Sequence, residues 1–119
     1  GPNGLLRDYP WPKEKGGPSK DLANYAGNVG ATTNVGRYPA SATPEGLHEM
    51  AGNVWEWQEN YYSNSRSSRS LRGGSWLNYG VNLSCSARNY NNPDYWSYDL
   101  GFRVVFSESK ALDILSLRI

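Results

Sequence analysis

Leu71-Arg-Gly-Gly-Ser-Trp76 opens, and Leu100-Gly-Phe-Arg103 closes, a stretch in which almost nothing is an ordinary core residue. Residues 77–99 hold Asn78, Tyr79, Asn82, Ser84, Ser86, Asn89, Tyr90 and Asn91, then Asp94, Tyr95, Trp96, Ser97, Tyr98 and Asp99. Tyr and Trp offer large rigid contact area at low entropic cost, and Ser and Asn offer adaptable hydrogen bonds, which is the composition of antibody-type binding loops. Tyr79, Tyr90, Tyr95, Trp96 and Tyr98 are therefore expected to form a contact surface. Asn78, Asn82, Ser84, Ser86, Asn89, Asn91, Ser97 and Asp99 are expected to add polar contacts. The competing reading buries some of these rings, Tyr79 and Trp96 above all, and assigns the Asn and Asp side chains to turns.

The remainder of the chain bounds the answer. Its 119 residues suffice for one domain with a modest core. Twelve Lys and Arg against 11 Asp and Glu leave a net charge of +1, which gives no electrostatic case for nucleic acid or an anionic membrane surface. No apolar run approaches the length of a bilayer span, and no signal-peptide pattern is present, so membrane insertion is not expected. The cellular location stays open. Cys85 is the single cysteine, so neither an intrachain disulfide nor a cysteine-built zinc site is available. Five Trp and nine Tyr among 13 Gly and 7 Pro predict a core of large rings held by turn-rich backbone.

Up to about residue 46 the breakers Pro10, Pro12, Gly16, Gly17, Pro18, Gly27, Gly30, Gly36, Pro39 and Pro44 forbid long regular elements. In Gly46-Leu-His-Glu-Met-Ala-Gly-Asn-Val-Trp-Glu-Trp57, Leu47 and Met50 are spaced for one helical turn that Gly52 would end. Val54 to Trp57 then alternate as a strand with Trp55 and Trp57 on one face. Residues 58–70, ending Ser63-Asn-Ser-Arg-Ser-Ser-Arg-Ser70, read as a polar hairpin loop, a solvated turn in preference to an RNA contact. Leu71-Arg72 and Phe102-Arg-Val-Val-Phe106 read as strands that pair antiparallel and project the segment between them from one end of a sheet. A long excursion of that kind is usually functional. The apolar tail 107–119 is expected to pack on its own domain or to join a homo-oligomer.

Taken together, the Gly46–Trp57 and Leu71–Trp76 segments, with Ala87-Arg88, Pro93-Asp94 and Gly101-Phe-Arg103, resemble the formylglycine-generating-enzyme-like (sulfatase-modifying factor) family. Tyr9-Pro-Trp11 and Ala23-Asn-Tyr25 match its weaker upstream landmarks. The resemblance implies an α+β, C-type-lectin-like fold, with a small antiparallel sheet and extensive irregular loops. It would form one domain over residues 1–106, with the family's amino-terminal part missing or reduced. Trp55, Trp57, Trp76 and Phe102 would be buried beneath the loops.

The family's copper-dependent enzymes need two cysteines just after the Gly-Gly-Ser-aromatic element. This chain has Leu77, Asn78, Tyr79 and Gly80 there, and Cys85 falls outside the pair. The related iron-dependent sulfoxide synthases need three histidines on a separate domain, and only His48 is present. The chain is accordingly expected not to be an enzyme and to require no cofactor. The resemblance is greatest to variable proteins of diversity-generating retroelements, whose variable segment lies between Gly-Gly-Ser-Trp and Gly-Phe-Arg. Adenine-directed change at asparagine codons leaves Asn, Tyr, Ser and Asp, the set found at 77–99. The expected partner is a protein or a cell-surface glycan. The alternatives are a formylglycine-generating-type oxidoreductase acting on a sulfatase cysteine, and a structural or assembly module. Asn53 and Glu56 are candidate structural calcium ligands by the family's Gly-Asn-x-x-Glu element. The preferred competing reading pairs Glu56 with Arg72, Arg88 or Arg103.

Overall fold

A computed structural model describes residues 7–104; the tail 107–119 and the last two residues of the expected strand 102–106 lie outside the described residues. Regular structure is sparse, as the breakers require. Single turns of 3-10 helix occur at Lys13–Lys15, Pro39–Ser41 and Gly80–Leu83. Four strands accompany them among the described residues: β1 (Trp55–Tyr61), β2 (Arg69–Arg72), β3 (Asn89–Asn91) and β4 (Leu100–Gly101), so that both ends of the expected loop 58–70 are strand, paired across the hairpin.

The strands form one sheet in the order β3-β2-β1-β4. β1 and β2 are the antiparallel arms of a hairpin whose register sets Glu56 opposite Arg72, Trp57 opposite Leu71 and Tyr61 opposite Arg69. β3 pairs antiparallel with β2, with Asn91 beside Arg69, Tyr90 beside Ser70 and Asn89 beside Leu71. The fourth strand corrects the expectation of an all-antiparallel sheet. β4 runs parallel to β1, with Leu100 opposite Trp55 and Gly101 opposite Glu56, so the sheet is mixed. Parallel neighbours need a long connection, and residues 62–99, with β2 and β3 among them, supply it. The pairing of Leu71-Arg72 with residues 102 onward does not form, because β1 and β3 occupy both sides of β2.

The Leu47–Met50 segment does not complete a helical turn. Glu49 (φ 51°) and Asn53 (φ 68°) adopt left-handed backbone that interrupts a right-handed helix. The aromatic expectations divide. Trp55 is buried, Trp57 and Trp76 are half-buried, and Phe102 is 73% exposed. Phe102 lies just past the two-residue β4, where the ladder has ended.

The principal apolar core lies under the loops rather than on the sheet. Trp11, Leu22, Ala23, Ala51 and Leu83 pack together, with Tyr9 and Tyr25 against them. The Tyr9 and Trp11 rings stack at 5.2 Å between centroids, and the indole Nε1 donates to the Gly16 carbonyl at 2.8 Å. Full burial of a side chain such as Leu83 is worth roughly 1.5–3 kcal/mol.

Main-chain bonds tie this core to the sheet. Asn53 N donates to Asn24 O (2.9 Å), Gly52 N to Gly73 O (2.8 Å) and Trp76 N to Asn53 O (2.9 Å). Ala26 N and Gly27 N donate to Asn78 O and Trp76 O, both at 2.8 Å. Such crossings demand glycine. A Cβ at Gly52, whose φ is +78°, would lie 2.6 Å from the Asn24 carbonyl oxygen, and one at Gly73 2.9 Å from that of Met50. Gly16 has a similar φ of +76° but open space around it.

These two glycines separate backbone preference from crowding. Gly16→Ala is expected to cost about 1 kcal/mol for the left-handed conformation alone. Gly52→Ala should cost about 3 kcal/mol or more, since a main-chain oxygen cannot step aside. Urea denaturation of the two variants measures the difference, and equal losses would show that the crossing is not tight.

Candidate functional site

Segment 77–99 is fastened at its two ends by one buried hydroxyl. Ser75 is fully buried, and its N–H donates to Asn78 Oδ1 at 2.9 Å. Its Oγ lies 2.7 Å from Asn78 Oδ1 and 3.0 Å from Asp99 Oδ2, with a single proton to share between them. The Asp99 carbonyl then accepts from Trp55 N at 2.8 Å, which starts the β1–β4 pairing. Asn78 and Asp99, chosen from the sequence for ligand contact, thus have side-chain oxygens engaged by the frame.

Between those ends the expected contact residues separate into groups. Tyr79, Trp96 and Tyr98 are largely exposed, Trp96 the most at 85%, and Tyr95 and Tyr90 are about half exposed. Neither Tyr79 nor Trp96 joins the core. The Tyr98 ring leans on Trp76 at 6.0 Å, so it is supported from below while its outer face meets solvent. Asn82 and Ser97 are half-buried, and their main chains close local turns onto Tyr79 O and from Leu100 N. Asn89 and Asn91 lie on the edge strand β3 with Tyr90 between them.

Ser84 and Ser86 lie apart from those rings, beside Cys85 on a cavity of about 500 Å³ lined also by Arg7, Asp8 and Tyr9. It adjoins a second cavity of about 350 Å³ with Leu47, Met50 and Leu83 in its wall and Arg7, Glu45, Glu56 and Arg72 around it. Arg7, which the sequence reading passed over, belongs to both and is held by Glu45 at 3.1 Å. Its only sequence signal was proximity to the Tyr9-Pro-Trp11 landmark. Cys85 opens onto these cavities, and desolvation pushes its thiol up despite the cationic Arg7 and Arg72 nearby.

The candidate calcium ligands do not converge on a cation position. Asn53 Oδ1 accepts from Thr33 N at 2.9 Å and Asn24 Nδ2 at 3.3 Å, while its amide donates to Thr33 O. Glu56 is taken by Arg103 through two bonds, Nε to Oε1 at 2.6 Å and an NH2 to Oε2 at 3.1 Å. Of the three arginines weighed as partners for Glu56, Arg103 is the one that binds it. The same guanidinium donates to the carbonyls of His48 (3.0 Å) and Glu49 (2.9 Å), and the Glu49 carboxylate accepts from Gly36 N. A metal here would have to displace a bidentate guanidinium, so the donor set does not fit one.

Comparison with known proteins adds what geometry cannot. The model of the sulfatase-modifying factor enzyme 1-like domain matches residues 4–108. The chain is 35% identical over 107 residues to the hercynine oxygenase of Mycobacterium tuberculosis, covering 76% of this chain and 25% of that protein. It is 28% identical over 123 residues to the formylglycine-generating enzyme of Mus musculus, covering 82% of this chain and 33% of that one. Among solved structures, Treponema denticola variable protein 1 superposes with a TM-score of 0.64 at 30% identity, over 70% of this chain and 35% of that chain. The chain thus spans a quarter to a third of these relatives, and its α+β architecture of a small sheet amid long loops is their C-type-lectin-like fold.

These relatives overturn one expectation. The chain was expected not to be an enzyme, on the ground that the catalytic cysteine pair is absent. Its relatives include named hercynine oxygenases as well as formylglycine-generating enzymes. A missing cysteine pair speaks to one chemistry of a family that has several, so it cannot carry that exclusion.

Two outcomes follow from the geometry. Glu56→Gln should lower stability by about 1–3 kcal/mol, the usual worth of hydrogen bonds to a charged group, while calcium or a chelator should leave the melting temperature of the unaltered protein in place; thermal denaturation reads both. Alkylation of Cys85 should be slow at neutral pH and accelerate above the ordinary thiol range, because only the thiolate reacts. A fast reaction at pH 7, followed by mass spectrometry, would contradict the desolvated sulfur.

Proposed function

The chain belongs to the sulfatase-modifying factor enzyme 1-like family, and on that premise we propose that it binds a macromolecular ligand through residues 77–99, as a variable protein of a diversity-generating retroelement. The observation that carries this reading is the contrast within the segment. Its ends are fastened through Ser75 to Asn78 and Asp99, while Tyr79, Tyr95, Trp96 and Tyr98 between them face solvent. Large rings exposed on a fastened backbone have already lost most of the entropy that binding would otherwise remove. Such rings are the anchors that carry most interface energy.

The mechanism is a fixed frame with exchangeable side chains. Backbone bonds among residues 24–27, 52–55 and 73–78 hold the loop path without help from the exposed rings. A substitution at Tyr79 or Trp96 therefore alters what is displayed and leaves the frame alone. The resemblance to Treponema denticola variable protein 1 supports this assignment. The ligand is a protein or a cell-surface glycan.

Replacing Tyr79, Tyr95, Trp96 and Tyr98 together by Ala tests the separation of display from frame. Stability should fall by no more than about 2 kcal/mol in urea denaturation, since exposed substitutions cost little and Tyr98 gives up an aromatic contact, with Trp76. A loss several times larger would favour the structural or assembly alternative. In the encoding DNA, a reverse transcriptase and a near-copy of the segment for residues 76–103, with adenines where the copies differ, are expected. Their absence would remove the retroelement assignment.

A further inference from the structure

The net charge of +1 conceals a strongly uneven distribution. Between residues 59 and 91 four arginines (Arg66, Arg69, Arg72 and Arg88) face the single carboxylate of Glu59, making that stretch +3 and the remainder of the chain −2. Arg72 turns inward, donating to the carbonyls of Cys85 (3.1 Å) and Ala87 (3.2 Å). The other three gather at the far end of the β1–β2 hairpin, and none has a carboxylate partner among the described residues.

They are held in place by tyrosines. The Arg69 guanidinium lies 3.9 Å from the centre of the Tyr61 ring, with that of Arg66 at 5.9 Å from the same ring. Arg88 lies 4.2 Å over Tyr62, whose ring also meets Tyr90 at 4.5 Å. Arg69 donates to Glu59 O and Tyr61 Oη, and Arg88 to Tyr62 O, which leaves each fork with free N–H groups. Ring stacking restrains a guanidinium without neutralising it. A chain of hydroxyls runs beside them, Ser63 Oγ to Ser65 Oγ at 2.8 Å and on to Ser67 Oγ at 2.9 Å.

We propose that this end of the sheet, presenting Arg66, Arg69 and Arg88, is a docking surface for an acidic polysaccharide. Three features choose that partner over others. An added peptide strand is disfavoured at the neighbouring edge strand β3. Asn89 Oδ1 takes the N–H of Tyr90 at 2.8 Å and Asn91 Oδ1 that of Asn92 at 2.9 Å, so alternate edge donors are already occupied. Stacking of nucleic-acid bases needs free ring faces, whereas guanidiniums and Tyr90 already lie against Tyr61 and Tyr62. An acidic protein would seek a pocket for an apolar anchor, but the concavity at this end, about 320 Å³ lined by Trp57, Gln58, Glu59, Arg69 and Pro93, is shallow and open. A flat array of fixed cations and hydroxyls suits a hydrophilic polymer bearing sulfate or carboxylate groups.

The inference rests on the binding role of residues 77–99 only through Arg88; Arg66 and Arg69 lie outside that segment. The test measures binding to immobilised sulfated dextran and to polygalacturonate, against neutral dextran, poly-glutamate and oligothymidylate, at about 0.15 M salt where weak surface pairing is screened. Binding to at least one acidic polysaccharide above all three controls is expected. Arg66→Asn with Arg69→Gln should weaken it about tenfold or more, as loss of charge-assisted bonds implies. Asn tolerates the left-handed backbone at Arg66 (φ 58°), so Arg66→Asn alone, which should still weaken binding measurably, serves if the pair fails to fold. The Tyr79, Tyr95, Trp96 and Tyr98 variant should retain polysaccharide binding. No binding, equal or better binding to a control polymer, or undiminished binding by the arginine variants would overturn the proposal. Loss in the ring variant alone would assign the polymer to the 77–99 face instead.

Discussion

The close crossing of three stretches of main chain, around Asn24, Gly52 and Gly73, is the constraint on which the structure depends. No side chain could hold these segments as near as the direct bonds Asn53 N to Asn24 O and Gly52 N to Gly73 O. Their closeness requires glycine at 52 and 73, since a Cβ at either would overlap a carbonyl oxygen. The candidate site is aligned from that point. Trp76 N reaches Asn53 O, Ser75 is buried beside the crossing, and Ser75 aligns the two ends of the exposed segment.

A second tie works from the opposite side. Arg103 reaches Glu56 on β1 and the carbonyls of His48 and Glu49, and Glu49 in turn holds Gly36. One guanidinium thereby joins the sheet to a loop that has no regular structure of its own. Charge in this protein is deployed in two ways. At Arg103 it is paired and directed inward, and at Arg66, Arg69 and Arg88 it rests on ring supports with no carboxylate partner among the described residues.

How far the sequence revealed this varied with the kind of residue. Gly-Gly-Ser-Trp and Gly-Asn-Val-Trp-Glu-Trp were legible because each combines backbone freedom with a large ring, a combination with few structural uses. The start of β1, the Leu71-Arg72 end of β2 and the exposure of Tyr98 followed from alternation and composition, whereas the polar outer halves of both arms read as loop and Trp96 could equally have been core. Leu22 and Ala23 were not legible as core residues, for they lie among breakers with no periodic neighbours to mark a buried face. Phe102 was misjudged because hydrophobicity cannot announce that a strand has ended one residue earlier. The direction of β4 was hidden for a related reason: two residues carry no pattern, and their pairing depends on where a long crossover returns. Asn78 and Asp99 resemble their exposed neighbours in composition, and only the position of Ser75 distinguishes them. The Arg-Tyr pairs at the hairpin end were masked by a net charge summed over the whole chain.

The main-chain crossing also bears on how the protein acquires its structure. Its bonds join residues far apart along the chain, from 21 positions between Gly52 and Gly73 to 52 between Ala26 and Asn78. Among the described residues little can form locally beforehand, since the helical pieces there are single turns and β4 has two residues. Loop closure must come before reward in such a topology, which slows folding by orders of magnitude relative to helical domains of similar size. During that interval Trp11, Leu22 and Leu83 lack their partners. The order in which the chain emerges during synthesis then matters, because Asn24 and Gly52 must wait for Gly73 and Asn78 before the crossing can close.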